Sequence, residues 1–323
     1  MKEITVNKND AGQRLDRFTE KAVPLLPSSL CQKYIRLKRI KVNSRPSQRN
    51  YRLCEGDVVS LYIGDEFFRR PSEDNAYLAI ARPELNVVYE DENILLADKR
   101  PGVLCHAAEG ADVFRTLIAN IQAYLYLKGE WDPKVENSFA PALCNRIDRN
   151  TGGIVIAAKT ASALRILNEK IRLREIDKYY LCAVIGAPSP PSGELSGYIF
   201  KDAAKNRVYV RSEREAGSRT AVTRYRTLAV SGSLALLECR LLTGRTHQIR
   251  AQLAAAGHPL LGDGKYGGIS SRGSAEKYQA LYSYRVVFDF PTDAGELEYL
   301  RGRSFTVEKV DFVEKYFPGH DFH

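Results

Sequence analysis

In residues 145–156, N-R-I-D-R-N-T-G-G-I-V-I, the carboxylate of Asp148 lies between Arg146 and Arg149, just ahead of a Gly152-Gly153 break and an apolar run that reads as a buried strand. Neighbouring cations favour the charged form of a carboxylate. The pattern therefore suits an ionised acid that serves as a nucleophile or a counter-ion, not as a proton donor. An acid flanked by arginines is also a common structural ion pair, so these residues alone leave both readings open. Two other stretches carry side chains of comparable interest, K-Y-Y at 178–180 and L-L-T-G-R-T-H-Q-I-R at 241–250. A tyrosine in an apolar strand is ordinarily core, and strand alternation would turn Tyr179 and Tyr180 to opposite faces. An arginine placed like Arg245, in a turn before a helix, is ordinarily structural. There is no G-x-G-x-x-G or phosphate-loop pattern, which leaves a nucleotide cofactor without a visible seat. The six cysteines are scattered and form no metal-ligand cluster with the five histidines, so no metal is expected and the thiols fit a reduced, cytoplasmic setting. Cys144, close to the Asp148 loop, suits a small buried hydrophobe.

The elements that must hold these residues follow from length and periodicity. A chain of 323 residues with 44% apolar content supports about two domains with a sizeable core. Lysine and arginine outnumber aspartate and glutamate by 48 to 39, and the net charge of +9 favours a polyanionic partner. The N-terminus lacks the apolar core of a signal peptide, and no run reaches the roughly 18 apolar residues of a membrane span. Apolar residues at helical spacing predict a helix over 12–23, closed by Pro24 and Pro27, and a second helix capped by Ser28 or Ser29 and running to about residue 38. Lys33, Arg36 and Arg39 lie off its apolar stripe, and the strand-like I-K-V-N and V-V-S-L-Y-I follow. Residues 12–64 thus form a small domain with a basic helical face, and the poorly periodic stretch 65–83 suits a linker. From 84 to 315, strand patterns outnumber helices and do not alternate regularly with them, which predicts an α+β domain on a mixed, largely antiparallel sheet.

The ordered set V-V-Y-E-D-E-N-I-L-L-A-D-K-R-P-G-V-L-C-H, N-R-I-D-R-N-T-G-G-I-V, K-Y-Y-L-C-A-V-I-G, L-L-T-G-R-T-H-Q-I-R-A-Q-L and G-H-P-L-L-G-D-G-K-Y-G, over residues 85–268, resembles the RluA family of pseudouridine synthases. The earlier run G-Q-R-L-D-R-F, P-S-S-L-C-Q-K-Y-I-R, I-K-V-N-S-R and Y-R-L-C-E-G-D-V-V, over residues 12–63, resembles the small S-four or alpha-L RNA-binding domain. The chain departs from the RluA pattern at Asn145, Ile147 and Gly152, where that family usually has histidine, leucine and serine.

These resemblances imply a fold of the pseudouridine synthase type and an enzyme that converts uridine to pseudouridine in structured RNA without a cofactor. Asp148 would be the catalytic carboxylate. Arg245 would pair with it, and Tyr180, third in the family's K-x-Y, would stack on the target base. Arg146 would fill the space left by the flipped uridine, a step that costs roughly a few kcal/mol. Leu242 and Ile154 would wall the pocket, His247 and Gln248 would brace it, and the turn from Lys99 to His106 would be structural. Lys33, Arg36, Arg39, Lys41 and Arg45 would meet RNA phosphates, which anchor without reading sequence. A glycosidase would be expected to place a second carboxylic acid near the first, and the loop offers arginines instead. The expected partner is ribosomal RNA met by a monomeric chain, with transfer RNA as the alternative. A non-catalytic RNA-binding or ribosome-assembly factor is a competing class, although a pure binder needs no aspartate where phosphates approach.

Overall fold

The computed structural model describes residues 1–68, 80–107, 112–267 and 276–322. At the N-terminus, β1 (Lys2–Thr5) is followed by α1 (Leu15–Ala22), α2 (Ser28–Arg36), β2 (Ile40–Val42), β3 (Arg45–Pro46) and β4 (Val58–Leu61). The four strands form one sheet in the order β1-β4-β2-β3. Its core is its own, with Leu15, Phe18, Ile35, Ile40 and Leu61 buried together. The unit starts earlier than the expected residue 12, because β1 pairs antiparallel with β4. Ser28 is the first helical residue of α2, after Pro27, and its hydroxyl donates to Glu20 Oε1 of α1 at 2.5 Å instead of capping. Asn43 and Ser44 join β2 to β3 with φ of 51° and 63°, the left-handed pair that a two-residue hairpin turn requires. Residues 65–68 form a short 3-10 turn. Most of the expected linker lies outside the described residues.

The large domain contains β5 (Val87–Glu90), β6 (Ile94–Lys99), α3 (Leu117–Leu127), β7 (Ala142–Leu143), β8 (Gly152–Ala158), α4 (Ala161–Leu173), β9 (Ile176–Ile185), β10 (Ser192–Asp202), β11 (Arg207–Arg211), β12 (Arg219–Ser231), β13 (Leu234–Leu241), α5 (Gln248–Ala255), β14 (Leu281–Phe288), β15 (Ser304–Thr306) and α6 (Asp311–Tyr316). One sheet runs β11-β10-β12-β13-β9-β14-β8-β6-β5, with β15 on β14 and β7 on β8. Among the sheet's described strands only β8 and β14 pair in parallel, so the domain is α+β on a largely antiparallel sheet, as expected. Thr160 caps α4 by accepting from the Ala163 amide.

Strand alternation sorts the side chains into two apolar layers. Leu181 and Ala183 of β9 and Ile154 and Ile156 of β8 face a layer covered by α4 through Ala163 and Leu167. Tyr180 and Cys182, with Val155 and Ala157, face a second layer covered by α3 and by Ile249 and Leu253 of α5. The chemistry gathers on this second face.

Candidate active site

Asp148 stands on the loop between β7 and β8, and backbone anchors fix that loop on both sides. Upstream, Asn145 Oδ1 accepts from the Ile156 amide at 2.8 Å, and Ile147 is buried in the second layer. Downstream, the Thr151 amide donates to the Asp148 carbonyl at 3.1 Å. Lys99, only 1% exposed, donates from Nζ to the carbonyls of Arg100, Val103 and Arg149 at 3.1, 2.9 and 2.9 Å. Burial pulls its amine down to about 8, while the charges of Cys105, Asp148 and Asp98 pull the other way. The departures from the family pattern have local reasons. The Asn145 amide supplies the tie to β8, and a Cβ at Gly152 would run into the Tyr282 ring unless that ring shifted.

The partner of Asp148 is Arg250, whose Nη1 donates to Asp148 Oδ2 at 2.8 Å. The same guanidinium grips the fully buried Asp263 through Nε at 2.7 Å and Nη2 at 3.0 Å. Burial disfavours the Arg250 charge, but the two carboxylates outweigh it and push its pKa up. A planar fork held in this way has no rotational freedom left, so it presents one nitrogen to Asp148 in a fixed position. His247 lies on the other side, with Nε2 3.8 Å from Asp148 Oδ2 and Nδ1 2.9 Å from Tyr266 Oη. Burial lowers the imidazole to about 4, against the pull of Asp148, so it is neutral near pH 7.

Arg245 does not pair with Asp148, contrary to the expectation. Helix α5 begins at Gln248, so Arg250 falls in its first turn beside the loop, while Arg245 stays in the preceding turn. There Arg245 Nε donates to the Thr220 carbonyl at 2.9 Å. Gln248 is a brace, accepting from Thr243 Oγ1 at 2.8 Å and the Arg245 amide at 3.1 Å, and donating to the Val222 carbonyl at 3.0 Å.

A cleft of about 930 Å³ joins these groups, with Asp148, Arg146, Tyr180, Leu242, Arg245 and Arg250 among its lining. Tyr180 is 6% exposed on β9, and burial raises its phenol to about 12. Tyr179 points into the opposite layer, as strand alternation requires. Arg146 is exposed at the cleft. Ile154 is not a wall of it: that side chain is fully buried in the first layer, on the far face of the sheet. Lys33, Arg36, Arg39 and Arg45 are exposed and Lys41 half-buried on the small N-terminal unit, and none forms an ion pair among the described residues. Sequence reasoning missed Arg250, Asp263 and Tyr266, although each lies inside a quoted motif.

A family model described as RNA pseudouridylate synthase matches residues 93–255, about half of the chain. An uncharacterized RNA pseudouridine synthase of Mycoplasma genitalium is 32% identical over 287 residues, covering 88% of both chains. The ribosomal large subunit pseudouridine synthase D of Neisseria meningitidis is 30% identical over 305 residues, covering 91% of this chain and 76% of that one. Among solved structures, human RNA pseudouridylate synthase domain containing 1 aligns with a TM-score of 0.53 at 19% identity, over 74% of this chain and 96% of that one, a likeness of fold. No described helix is long and apolar enough to cross a membrane. The match over half the sequence, together with a relative similar along nearly its whole length, places this carboxylate cleft in a chain that belongs to the RNA pseudouridylate synthase family, isomerases that act on RNA.

Proposed function

We propose that this pseudouridine synthase acts on a uridine in a stem-loop of ribosomal RNA, with Asp148 as its catalytic carboxylate. The observation that carries the reading is the Asp148 carboxylate held 2.8 Å from a doubly anchored Arg250, on a loop fixed by Lys99 and Asn145, in a cleft it shares with Tyr180. The reaction breaks the glycosidic bond of the uridine, turns the base and rejoins it to the sugar through carbon. One positioned carboxylate is what this needs, and a uracil leaving group can carry negative charge while it stays in the pocket. Arg250 fixes the orientation of Asp148, and neutral His247 adds no competing cation beside it.

Tyr180 offers a ring for the target base to stack on, and Arg146, exposed at the cleft, can occupy the gap left when that base is flipped out. The N-terminal unit serves as an alpha-L type RNA anchor, with Lys33, Arg36, Arg39, Lys41 and Arg45 meeting phosphates. Ribosomal RNA is favoured because curated relatives, such as the Neisseria enzyme, are named for the large ribosomal subunit.

The test maps carbodiimide-dependent reverse-transcription stops in total RNA from cells lacking the protein, after incubation with the wild type or with Asp148→Asn. New stops in ribosomal RNA with the wild type alone are expected. Stops in transfer RNA would move the substrate, and equal stops with the variant would remove Asp148 from the reaction.

A further inference from the structure

The cleft has a second end whose charges the chemistry at Asp148 does not use. Its lining holds seven lysines and arginines against two carboxylates. Both carboxylates are already engaged, Asp148 by Arg250 at 2.8 Å and Asp177 by Arg240 at 2.6 Å. Arg172 pairs along its own helix with Glu169. Beyond Arg146, that leaves Arg174, Lys178 and Arg245 in the lining without an ion-pair partner among the described residues.

These cations are brought together by three elements. Arg174 ends α4 in the left-handed conformation, φ 63°, and is exposed. Lys178 lies two residues before Tyr180 on β9, and its ammonium donates to the Ile176 carbonyl at a long 3.3 Å. Arg245 spends Nε on the Thr220 carbonyl, next to the exposed Arg219 that opens β12. Burial lowers the Arg245 guanidinium, and the nearby charges of Arg219 and Arg174 lower it further, so like charges face one another here, while Asp177, already paired with Arg240, acts on Lys178. Like charges gathered at a cleft raise the energy of the empty protein and lower it when an anion enters. The other arginines of β12 are neutralised, Arg224 by Glu194 and Arg226 by Glu238, so along that strand the arginine left without an ion pair among the described residues is Arg219, beside the cleft.

We propose that Arg174, Lys178, Arg219 and Arg245 form a phosphate-gripping rim that holds the RNA backbone beside the target uridine and sets how deep that nucleotide enters toward Tyr180 and Asp148. This rests on the reading that RNA enters this cleft. It gives Arg245 a binding role in place of the pairing expected from the sequence. The ligand is the phosphodiester group, because a cluster of like cations on the rim is matched by the repeating negative charge of the backbone, whatever base it carries.

The test measures binding of a 12-nucleotide oligouridine to the full-length protein by fluorescence anisotropy across a salt series. Arg174→Gln, Lys178→Gln and Arg245→Gln are each expected to weaken binding about 3–10-fold and to reduce the slope of log K against log salt by about 0.7, the value for one single-strand phosphate contact. Lys309→Gln, an exposed lysine outside the cleft, is expected to leave the slope unchanged. Arg245→Lys and Lys178→Arg keep the charge and restore the slope, which a role in folding alone would not allow. Unchanged slopes in the three glutamine variants, or an equal drop in Lys309→Gln, would overturn the rim. The mapping experiment of the previous section separates the two ideas. Pseudouridine formed by a wild type whose rim variants keep full slopes sinks the rim alone, whereas reduced slopes without any pseudouridine sink the catalytic reading and leave the rim standing.

Discussion

Which arginine serves Asp148 is decided by the hydrogen bonds of one guanidinium. Arg250 divides its nitrogens between Asp148 and the fully buried Asp263, so removing it takes the counter-charge from a buried carboxylate to which the amides of Lys265 and Tyr266 also donate. Arg250→Gln is therefore expected to cost about 3–5 kcal/mol of stability, the usual penalty for breaking a buried ion pair. Arg245 gives up one bond to a carbonyl at the rim, and Arg245→Gln is expected to cost about 1 kcal/mol or less. Denaturant midpoints of the two variants check this, and an equal loss in both would return Arg245 to the core of the site. Asp148 stands out in the sequence as an acid framed by cations, and the K-x-Y of the family the chain resembles favours Tyr180 over Tyr179. The sequence did not separate the two arginines of R-T-H-Q-I-R, because the choice depends on where α5 starts. That start is set by His247 in the left-handed conformation and by the Gln248 side chain reaching across to β12, and neither leaves a trace in hydrophobic spacing.

At the scale of elements, the buried strands were legible because they are continuous apolar runs between breakers. β8 is buried at every position, and its Gly152-Gly153 start reads as a break. The β10 and β11 hairpin was not legible, since β10 alternates between exposed and half-buried positions and carries glycines at 193 and 197. Ile154 was misplaced for a related reason: an apolar residue next to the Asp148 loop gives no sign of which sheet face it meets until the register is known. The same junction explains a departure from the family pattern. Gly153 takes φ +112° against the Ser283 backbone, and Gly152 lies under the Tyr282 ring, which donates to Asp98 at 2.7 Å. Installing the family's usual residue by Gly152→Ser is expected to destabilise the protein by about 1–3 kcal/mol, the range for overpacking a filled site. Thermal unfolding of Gly152→Ser and of Gly152→Ser with Tyr282→Ala measures it. A single variant as stable as wild type would mean that the ring moves aside freely.

For the whole molecule, the contact between the two units is polar. Asp10, itself fully buried, accepts from Asn137 Nδ2 at 2.7 Å and from Ser138 Oγ at 2.5 Å, while Asn9 Nδ2 donates to Glu136 at 2.5 Å and Gln13 Nε2 to Ser138 at 2.8 Å. No apolar cluster of the large domain includes a residue of the first 64. Side chains that can bond to water once the partner is gone lose little on separation, whereas a shared apolar face would be left exposed. Removal of residues 1–64 is therefore expected to leave the large domain folded with a single cooperative transition. It takes away Lys33, Arg36, Arg39, Lys41 and Arg45, which have no ion pair among the described residues, so the salt slope of RNA binding should fall by roughly 3–4. Calorimetry and anisotropy on the shortened chain read both quantities. A domain that no longer unfolds cooperatively would mean that the interface is structural. An intact domain with an unchanged slope would assign the RNA contact wholly to the cleft and its rim, with the N-terminal unit as a docked bystander.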